Sequence, residues 1–329
     1  MTKLIDNFNR HINYLRISVT DRCNLRCVYC MPKEGLSQIG HDDVLRYEEI
    51  LRIARIAAKK GISKIRITGG EPLVRKNIIS LVSDINNING IEDISITTNG
   101  VLLKKCAAQL KKAGLKRINI SLDSLEKNKY SEITRGGNLD DVLKGITEAK
   151  INGFNPIKIN FVPLKGINDN EIATIAKLTM ERPVHIRFIE FMPVNVKNAW
   201  SNDHYIPSEK IKKGLEEIAP LLPVERDEHT GPARMFKFQD AKGQIGFISP
   251  LSNHFCDSCN RLRLTADGKL RTCLFSDKET DLKTPLRNGC SDKELEEIIT
   301  IAILNKPEKH KVLDPSFEKC HRGMSAIGG

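Results

Sequence analysis

Cys23, Cys27 and Cys30 stand in CxxxCxxC spacing directly after an alternating segment, Tyr14-Leu-Arg-Ile-Ser-Val-Thr20. Three thiolates this close suit a soft metal centre. Structural zinc and ferredoxin-type clusters both take four protein ligands, so one coordination position is left open. An open iron on a 4Fe-4S cluster can hold a small molecule for one-electron chemistry, and S-adenosylmethionine is the cofactor that couples such chemistry to radicals. The competing reading is a zinc knuckle completed by a distant residue. A second trio, Cys256, Cys259 and Cys273, reads as CxxC with a third cysteine after thirteen intervening residues, and it too is one ligand short unless Cys290 completes it. Cys106 sits in a helical pattern as a small core residue, and Cys320 has no assignable partner.

The elements that would position these groups follow from the hydrophobic pattern. Strands are expected at 14–20, 63–68, 92–98, 116–122, 156–162 and 184–191, separated by helical patterns over 47–61, 102–114, 140–153 and 169–180, with Gly61 as a helix stop. Strand and helix in alternation imply a parallel sheet with helical crossovers, either an open doubly wound sheet or a six-unit partial barrel. The strand faces favour the barrel. One face is apolar, with Ile17, Val19, Ile65, Ile67, Ile94, Ile96, Ile118, Ile120, Ile157, Ile159, Ile186 and Phe188. The other is polar and basic, including Arg16, Lys64, Arg66, Thr97, Ser121, Lys158 and Arg187. A parallel sheet covered on both faces reads as continuous apolar runs, so this polar face must line a wet cavity or meet an anion.

The chain has 329 residues, 40% hydrophobic and 28% charged, with a formal net charge of +11. No apolar run approaches the ~20 residues of a membrane span, and the first residues lack the core of a signal peptide, so a cytoplasmic protein without membrane contact is expected. Its cysteines, clustered in two trios, argue for metal ligation over disulfides. Basic residues that converge from separate strands suit a compact polyanion such as a nucleoside triphosphate better than duplex nucleic acid. Beyond residue 200 the period changes to a helix over 207–218 and short strand-like runs at 234–238 and 244–248, typical of antiparallel hairpins. The expected organisation is therefore a barrel over 1–200 and a C-terminal antiparallel extension over 201–329.

Further signals cluster at the strands' carboxyl ends, where parallel α/β folds bind ligands. Thr68-Gly-Gly-Glu-Pro72 frees the backbone for close approach, and Thr97-Thr-Asn-Gly100, Ser121-Leu-Asp123 and Met192-Pro193 end three other strands. The last residues, Met324-Ser-Ala-Ile-Gly-Gly329, make a small, flexible tail of the kind that normally frays.

CxxxCxxC after the first strand, Gly-Gly-Glu-Pro after the second, the second trio within Cys-Asn-Arg-Leu-Arg-Leu-Thr-Ala-Asp-Gly-Lys-Leu, and the terminal Gly-Gly together resemble the GTP 3′,8-cyclase family of the radical S-adenosylmethionine superfamily. The resemblance spans essentially the whole chain. It implies that Cys23, Cys27 and Cys30 hold a 4Fe-4S cluster that chelates S-adenosylmethionine, and that Cys256, Cys259 and Cys273 hold a second 4Fe-4S cluster whose open iron binds guanine. Tyr29, Gly70, Ser121 and Met192 fall at cofactor-contacting positions. Arg16, Arg66, Thr97, Lys158, Arg187, Arg261, Leu262 and Arg263 fall at GTP-contacting positions, with Lys64 added from face alternation alone. Gly328 and Gly329 match a tail that reaches into the active site and is needed for turnover. The implied reaction is hydrogen abstraction from C3′ of GTP followed by attack on C8, giving 3′,8-cyclo-7,8-dihydro-GTP at the opening of molybdenum cofactor biosynthesis. Implied partners are an electron donor such as flavodoxin or ferredoxin, the cyclic pyranopterin monophosphate synthase that takes the product, and a second copy in a homodimer. The rivals are another radical enzyme with an auxiliary cluster, such as one that modifies a peptide, and a metal-stabilised nucleic-acid-binding protein.

Overall fold

The computed structural model describes the chain apart from residues 1–3, 36–38, 195–200, 226–230, 313, 315, 316, 318, 319 and 329. Its strands are β1 (Tyr14–Ser18), β2 (Lys64–Thr68), β3 (Asp93–Thr98), β4 (Arg117–Ser121), β5 (Ile157–Phe161), β6 (Val184–Ile189), β7 (Leu221–Pro223), β8 (Arg234–Phe238), β9 (Gln244–Ile248), β10 (Arg261–Leu264), β11 (Lys269–Arg271) and β12 (Thr280–Asp281). The helices are α1 (Tyr47–Lys59), α2 (Ile78–Asn86), α3 (Leu103–Lys112), α4 (Lys127–Thr134), α5 (Leu139–Ile151), α6 (Ile172–Glu181), α7 (Ser208–Glu216), α8 (Lys283–Arg287), α9 (Asp292–Leu304) and α10 (Met324–Ile327).

The first six strands pair in sequence order, all parallel, as the alternating pattern requires of a (βα)6 partial barrel. Every residue of the expected apolar face is buried and belongs to the main hydrophobic core. Helix α1 ends where the pattern placed its stop, with Gly61 in the left-handed region at φ 99°. Helices α2 and α4 are additional to those singled out in the sequence, and in α2 a run rich in β-branched residues conceals the helical period.

The C-terminal region contains the expected antiparallel hairpins, β8 with β9 and β10 with β11, but it joins the barrel in parallel. Strand β9 pairs parallel to β6 and β10 pairs parallel to β1, so both ends of the six-stranded sheet are prolonged in the barrel's own direction. Antiparallel pairing begins only beyond them, with β8 and β7 on one side and β11 and β12 on the other, in a single 12-stranded sheet. Residues from both sides of position 200 thus share one hydrogen-bonded ladder.

Helices α3 and α5 pack closely where Gly145 meets the turn after β3. A Cβ at Gly145 would lie 2.5 Å from the Gly100 carbonyl oxygen and 3.1 Å from Leu103 Cβ. Gly145→Ala should therefore force the helices apart and cost about 1–3 kcal/mol, read as a lower urea midpoint with an unchanged m-value.

Candidate active site

The first trio follows β1 at the carboxyl end of the parallel strands. Its loop lies against the Gly-Gly-Glu-Pro turn, where the Gly70 N–H donates to the Thr20 carbonyl (2.7 Å) and the Glu71 N–H to the Arg22 carbonyl (2.8 Å). A Cβ on Gly70 would overlap the Arg22 carbonyl oxygen, which is why a glycine stands there. The buried Glu71 carboxylate accepts from Leu73 N (3.0 Å), Thr98 Oγ1 (2.7 Å) and Asn99 N (2.6 Å), and burial pushes its pKa up to about 7. Cys23 Sγ accepts the Leu25 N–H at 3.4 Å and faces Asn99 Nδ2 at 3.9 Å. The Tyr29 hydroxyl donates to Asp123 Oδ2 (2.6 Å), and Asp123 Oδ1 accepts from Val162 N (2.8 Å), so the cysteine loop is fastened to the ends of β4 and β5. Burial and the neighbouring Cys23 push Cys30 up to about 12, and burial also raises Cys23 and Cys27. Crowded, desolvated thiols resist ionising together, and iron, which takes them as thiolates, removes that penalty.

The second trio lies at the opposite end of the strands. Cys259 precedes β10, whose first residue pairs with Tyr14 at the start of β1, and Cys273 follows the antiparallel β11 back to the same level. Burial alone would raise Cys259, but the charges of Arg261 and Lys306 outweigh it and bring it down to about 6. Lys306, just beyond α9, is only 3% exposed. Its ammonium donates to the Arg261 carbonyl (3.2 Å) and the Thr272 carbonyl and lies 3.6 Å from Cys259 Sγ. From the other terminus, buried Arg10 pairs with Asp6 (2.6 Å) and donates to the Cys256 and Glu308 carbonyls (2.9 and 2.7 Å). Neither cation is marked in the sequence, because each binds main-chain atoms of remote segments, at least 34 residues away for Lys306 and at least 246 for Arg10.

Both trios line one chamber of about 300 Å³. Between them the register sets Arg66, Arg16 and Arg263 side by side on β2, β1 and β10. Arg261 lines the same wall. Burial, and then the charge of Arg263, hold Arg16 well below the usual guanidinium range, and burial with Arg261 brings Arg263 down to about 9. The hydroxyl of Tyr14, Thr97 Oγ1, Asn160 Oδ1 and Ser325 Oγ are buried on this wall with no protein hydrogen-bond partner. Such a surface is costly without an anionic, hydrogen-bonding occupant.

Most of the residues marked in the sequence meet here: the six cysteines, Tyr29, Gly70, Ser121, Met192, Arg16, Arg66, Thr97, Arg187, Arg261 and Arg263 all line the chamber. Arg187 Nη1 donates to Asn119 Oδ1 (3.2 Å), and Gly246 beside it on β9 leaves room for its stem. Four residues stand outside the lining. Lys158 is buried on β5 between Asn119 and His185, Lys64 is half-buried at the start of β2, and Leu262 alternates to the opposite face and joins the main core. Gly328 sits behind Arg263, whose Nη1 donates to its carbonyl at 2.6 Å. Gly329 lies outside the described residues. Unmarked in the sequence was Glu190, whose buried carboxylate accepts from Ser208 N (3.0 Å), Leu251 N (2.9 Å) and Ser252 N (3.1 Å) and so ties the end of β6 to the loop after β9.

The donor sets fit two iron–sulfur centres. Each supplies three sulfurs, the first in a buried loop that disfavours free thiolates, the second beside the buried ammonium of Lys306, which lies 3.6 Å from Cys259 Sγ. Among the described residues no group of His, Cys, Asp or Glu is placed to grip a single metal ion, so the fit rests on donor chemistry and the shared chamber.

Residues 17–179 match the Radical SAM superfamily and residues 184–312 match Molybdenum Cofactor Synthesis C. The fold is also that of Streptococcus suis SuiB (TM-score 0.62, 16% identity, covering 96% of this chain and 78% of that one). Fold and cysteine loop together define a radical S-adenosylmethionine protein. The chain is 52% identical to a GTP 3′,8-cyclase of Desulforamulus reducens (99% of this chain, 100% of the relative) and 54% identical to one of Thermodesulfovibrio yellowstonii (98% and 99%). It belongs to the GTP 3′,8-cyclase family.

Lys306 offers a test of the second centre. Lys306→Met keeps the apolar stem and deletes the charge, so it should lower the urea midpoint of the iron-loaded protein by about 1–3 kcal/mol equivalent while leaving the iron-free protein as stable or more so. Equal losses in both forms would mean that the ammonium serves only the carbonyls.

Proposed function

We propose that this chain converts GTP to 3′,8-cyclo-7,8-dihydro-GTP with S-adenosylmethionine, the first step of molybdenum cofactor biosynthesis. The observation that carries the reading is the arginine row at the centre of a chamber with a cysteine trio at each end. Cys23, Cys27 and Cys30 would hold one 4Fe-4S cluster, and Cys256, Cys259 and Cys273 the other. When bound and reduced there, the first cluster with S-adenosylmethionine would supply the radical chemistry needed to remove a hydrogen atom from the substrate ribose.

The chain's own residues do the rest. Tyr29, Gly70, Ser121 and Met192 shape the cofactor's end of the chamber, the first held by Asp123 and the second by the cysteine loop's backbone. Arg16, Arg66, Arg261, Arg263 and Arg187 neutralise the triphosphate and fix the ribose, so their contribution is positioning and electrostatics. Thr97 and Asn160 offer unsatisfied polar atoms to the same ligand. In this reading Lys158, Lys64 and the backbone at Leu262 act from the layer behind, and the Gly328 carbonyl steadies Arg263, with Gly328 and Gly329 needed for turnover as in the family. Residues 1–200 form the barrel with the first cluster and much of the substrate wall, and residues 201–329 add the second cluster, Arg261, Arg263 and the Gly-Gly tail. A flavodoxin or ferredoxin supplies the electron, cyclic pyranopterin monophosphate synthase takes the product, and the protein works as a cytoplasmic homodimer without nucleic acid. Among the described residues no helix is long and apolar enough to cross a membrane.

Anaerobic reconstitution should give about eight irons per chain, two cubanes' worth. Incubation with reductant and S-adenosylmethionine should yield 5′-deoxyadenosine that depends on GTP and carries deuterium from GTP labelled at C3′. GTP-independent cleavage only, or no label transfer, sinks the assignment. Arg187→Ala should raise the KM for GTP at least tenfold, about 1.4 kcal/mol, with the iron content of the first site unchanged; an unaltered KM would remove Arg187 from the substrate wall.

A further inference from the structure

The C-terminal segment enters the chamber as a helix of only four residues, too short to hold itself. Yet it is placed with care. The Ser325 N–H hydrogen-bonds the Cys30 sulfur, Ile327 is fully buried in a small cluster with Val194, Leu251 and Phe275, and the Gly328 carbonyl accepts from Arg263. Gly328 adopts φ 74°, and a Cβ there would overlap Thr68 Oγ1 at the end of β2.

What fixes this segment is a clasp of ion pairs just before it. Arg322 Nη1 and Nη2 donate to the two oxygens of Asp267 (3.0 and 2.8 Å), and its Nε pairs with Glu279 Oε1 at 2.9 Å. Asp267 stands in the β10–β11 turn, where its Oδ1 also accepts from Thr265 Oγ1 (2.6 Å). Glu279 Oε1 is shared with Arg271 Nη1 (2.6 Å), and the fully buried Arg271 donates onward to the Ser276 carbonyl (2.5 Å) in the loop that follows Cys273. A neighbouring residue repeats the arrangement, with the His321 N–H and Nδ1 both on Asp277 Oδ2 (3.0 and 2.8 Å). A bidentate, partly buried and networked arginine–carboxylate fork holds geometry far better than an exposed pair.

We infer that Arg322 is a positioning residue for the active site: it locks the C-terminal segment to the β10–β11 hairpin, so that the hairpin carrying Arg263 and Cys273 sets how the Gly328 carbonyl meets Arg263 and how the Ser325 N–H meets Cys30. Arg263 is thereby oriented from behind by a main-chain oxygen that side-chain packing alone would not place. The turnover arm of the test rests on the GTP-cyclising reading; the docking arm does not.

The full chain, reconstituted anaerobically, is compared with Arg322→Gln and Arg322→Lys by hydrogen exchange and kinetics. In Arg322→Gln, amides of residues 324–328 should exchange at least tenfold faster while residues 261–281, iron content and Tm stay as in the unaltered protein. GTP-dependent 5′-deoxyadenosine formation should fall at least tenfold in kcat with the KM for S-adenosylmethionine unchanged, and Arg322→Lys, which keeps one pairing with Asp267, should recover part of both. Unchanged protection of 324–328 overturns the inference, because Ile327 packing then suffices. Equal loss of protection across 261–281 also overturns it, since Arg322 would be a general brace. Faster tail exchange in a protein that turns over no GTP even when unaltered upholds the clasp and defeats the GTP reading.

Discussion

The structure depends on the burial of like charges. Arg66, Arg16 and Arg263 stand abreast on three neighbouring parallel strands, with Arg261 beside them, on the lumen side of a sheet whose other face is apolar and packed under helices. Guanidiniums so arranged repel one another and lose hydration, and the main core must hold the strands in register against both effects. A polyanion reverses the sign of that energy. The row of guanidiniums favours a small, highly charged ligand over an extended one.

Placement of the two cysteine trios follows from strand direction. Because β10 runs parallel to β1, residues after β1 and residues before β10 lie at opposite ends of adjacent strands, with the arginine row between. An antiparallel β10 would have brought both trios to the same end. The termini then brace the far trio through Arg10 and Lys306, and the last residues return to the near one through Ser325.

The sequence made the barrel legible because period-two alternation was uninterrupted in six strands: Ile17 toward the helices, Arg16 toward the lumen, and so on round the sheet. It made the cysteines and most of the chamber residues legible because they sit at strand ends or on that alternating face. It did not reveal the parallel pairing of β9 and β10, since strands of five and four residues carry no mark of direction and their partners are remote in sequence. Lys158 shared the polar face and still stands outside the lining, because alternation gives the side of a strand and not the depth along it. Glu190, Lys306 and Arg322 were silent for a further reason: each acts on backbone atoms or carboxylates of distant segments, and no local spacing encodes that.

The shared ladder of β1 and β10 has a consequence for how such proteins diversify. Side chains alternate along a strand, so slipping β10 by one residue against β1 would turn Leu262 toward the lumen and Arg263 and Arg261 into the core. The matched segments 17–179 and 184–312 are therefore not interchangeable cassettes. A C-terminal region grafted from another radical protein would have to arrive in phase with β1 before the identity of any of its side chains could matter.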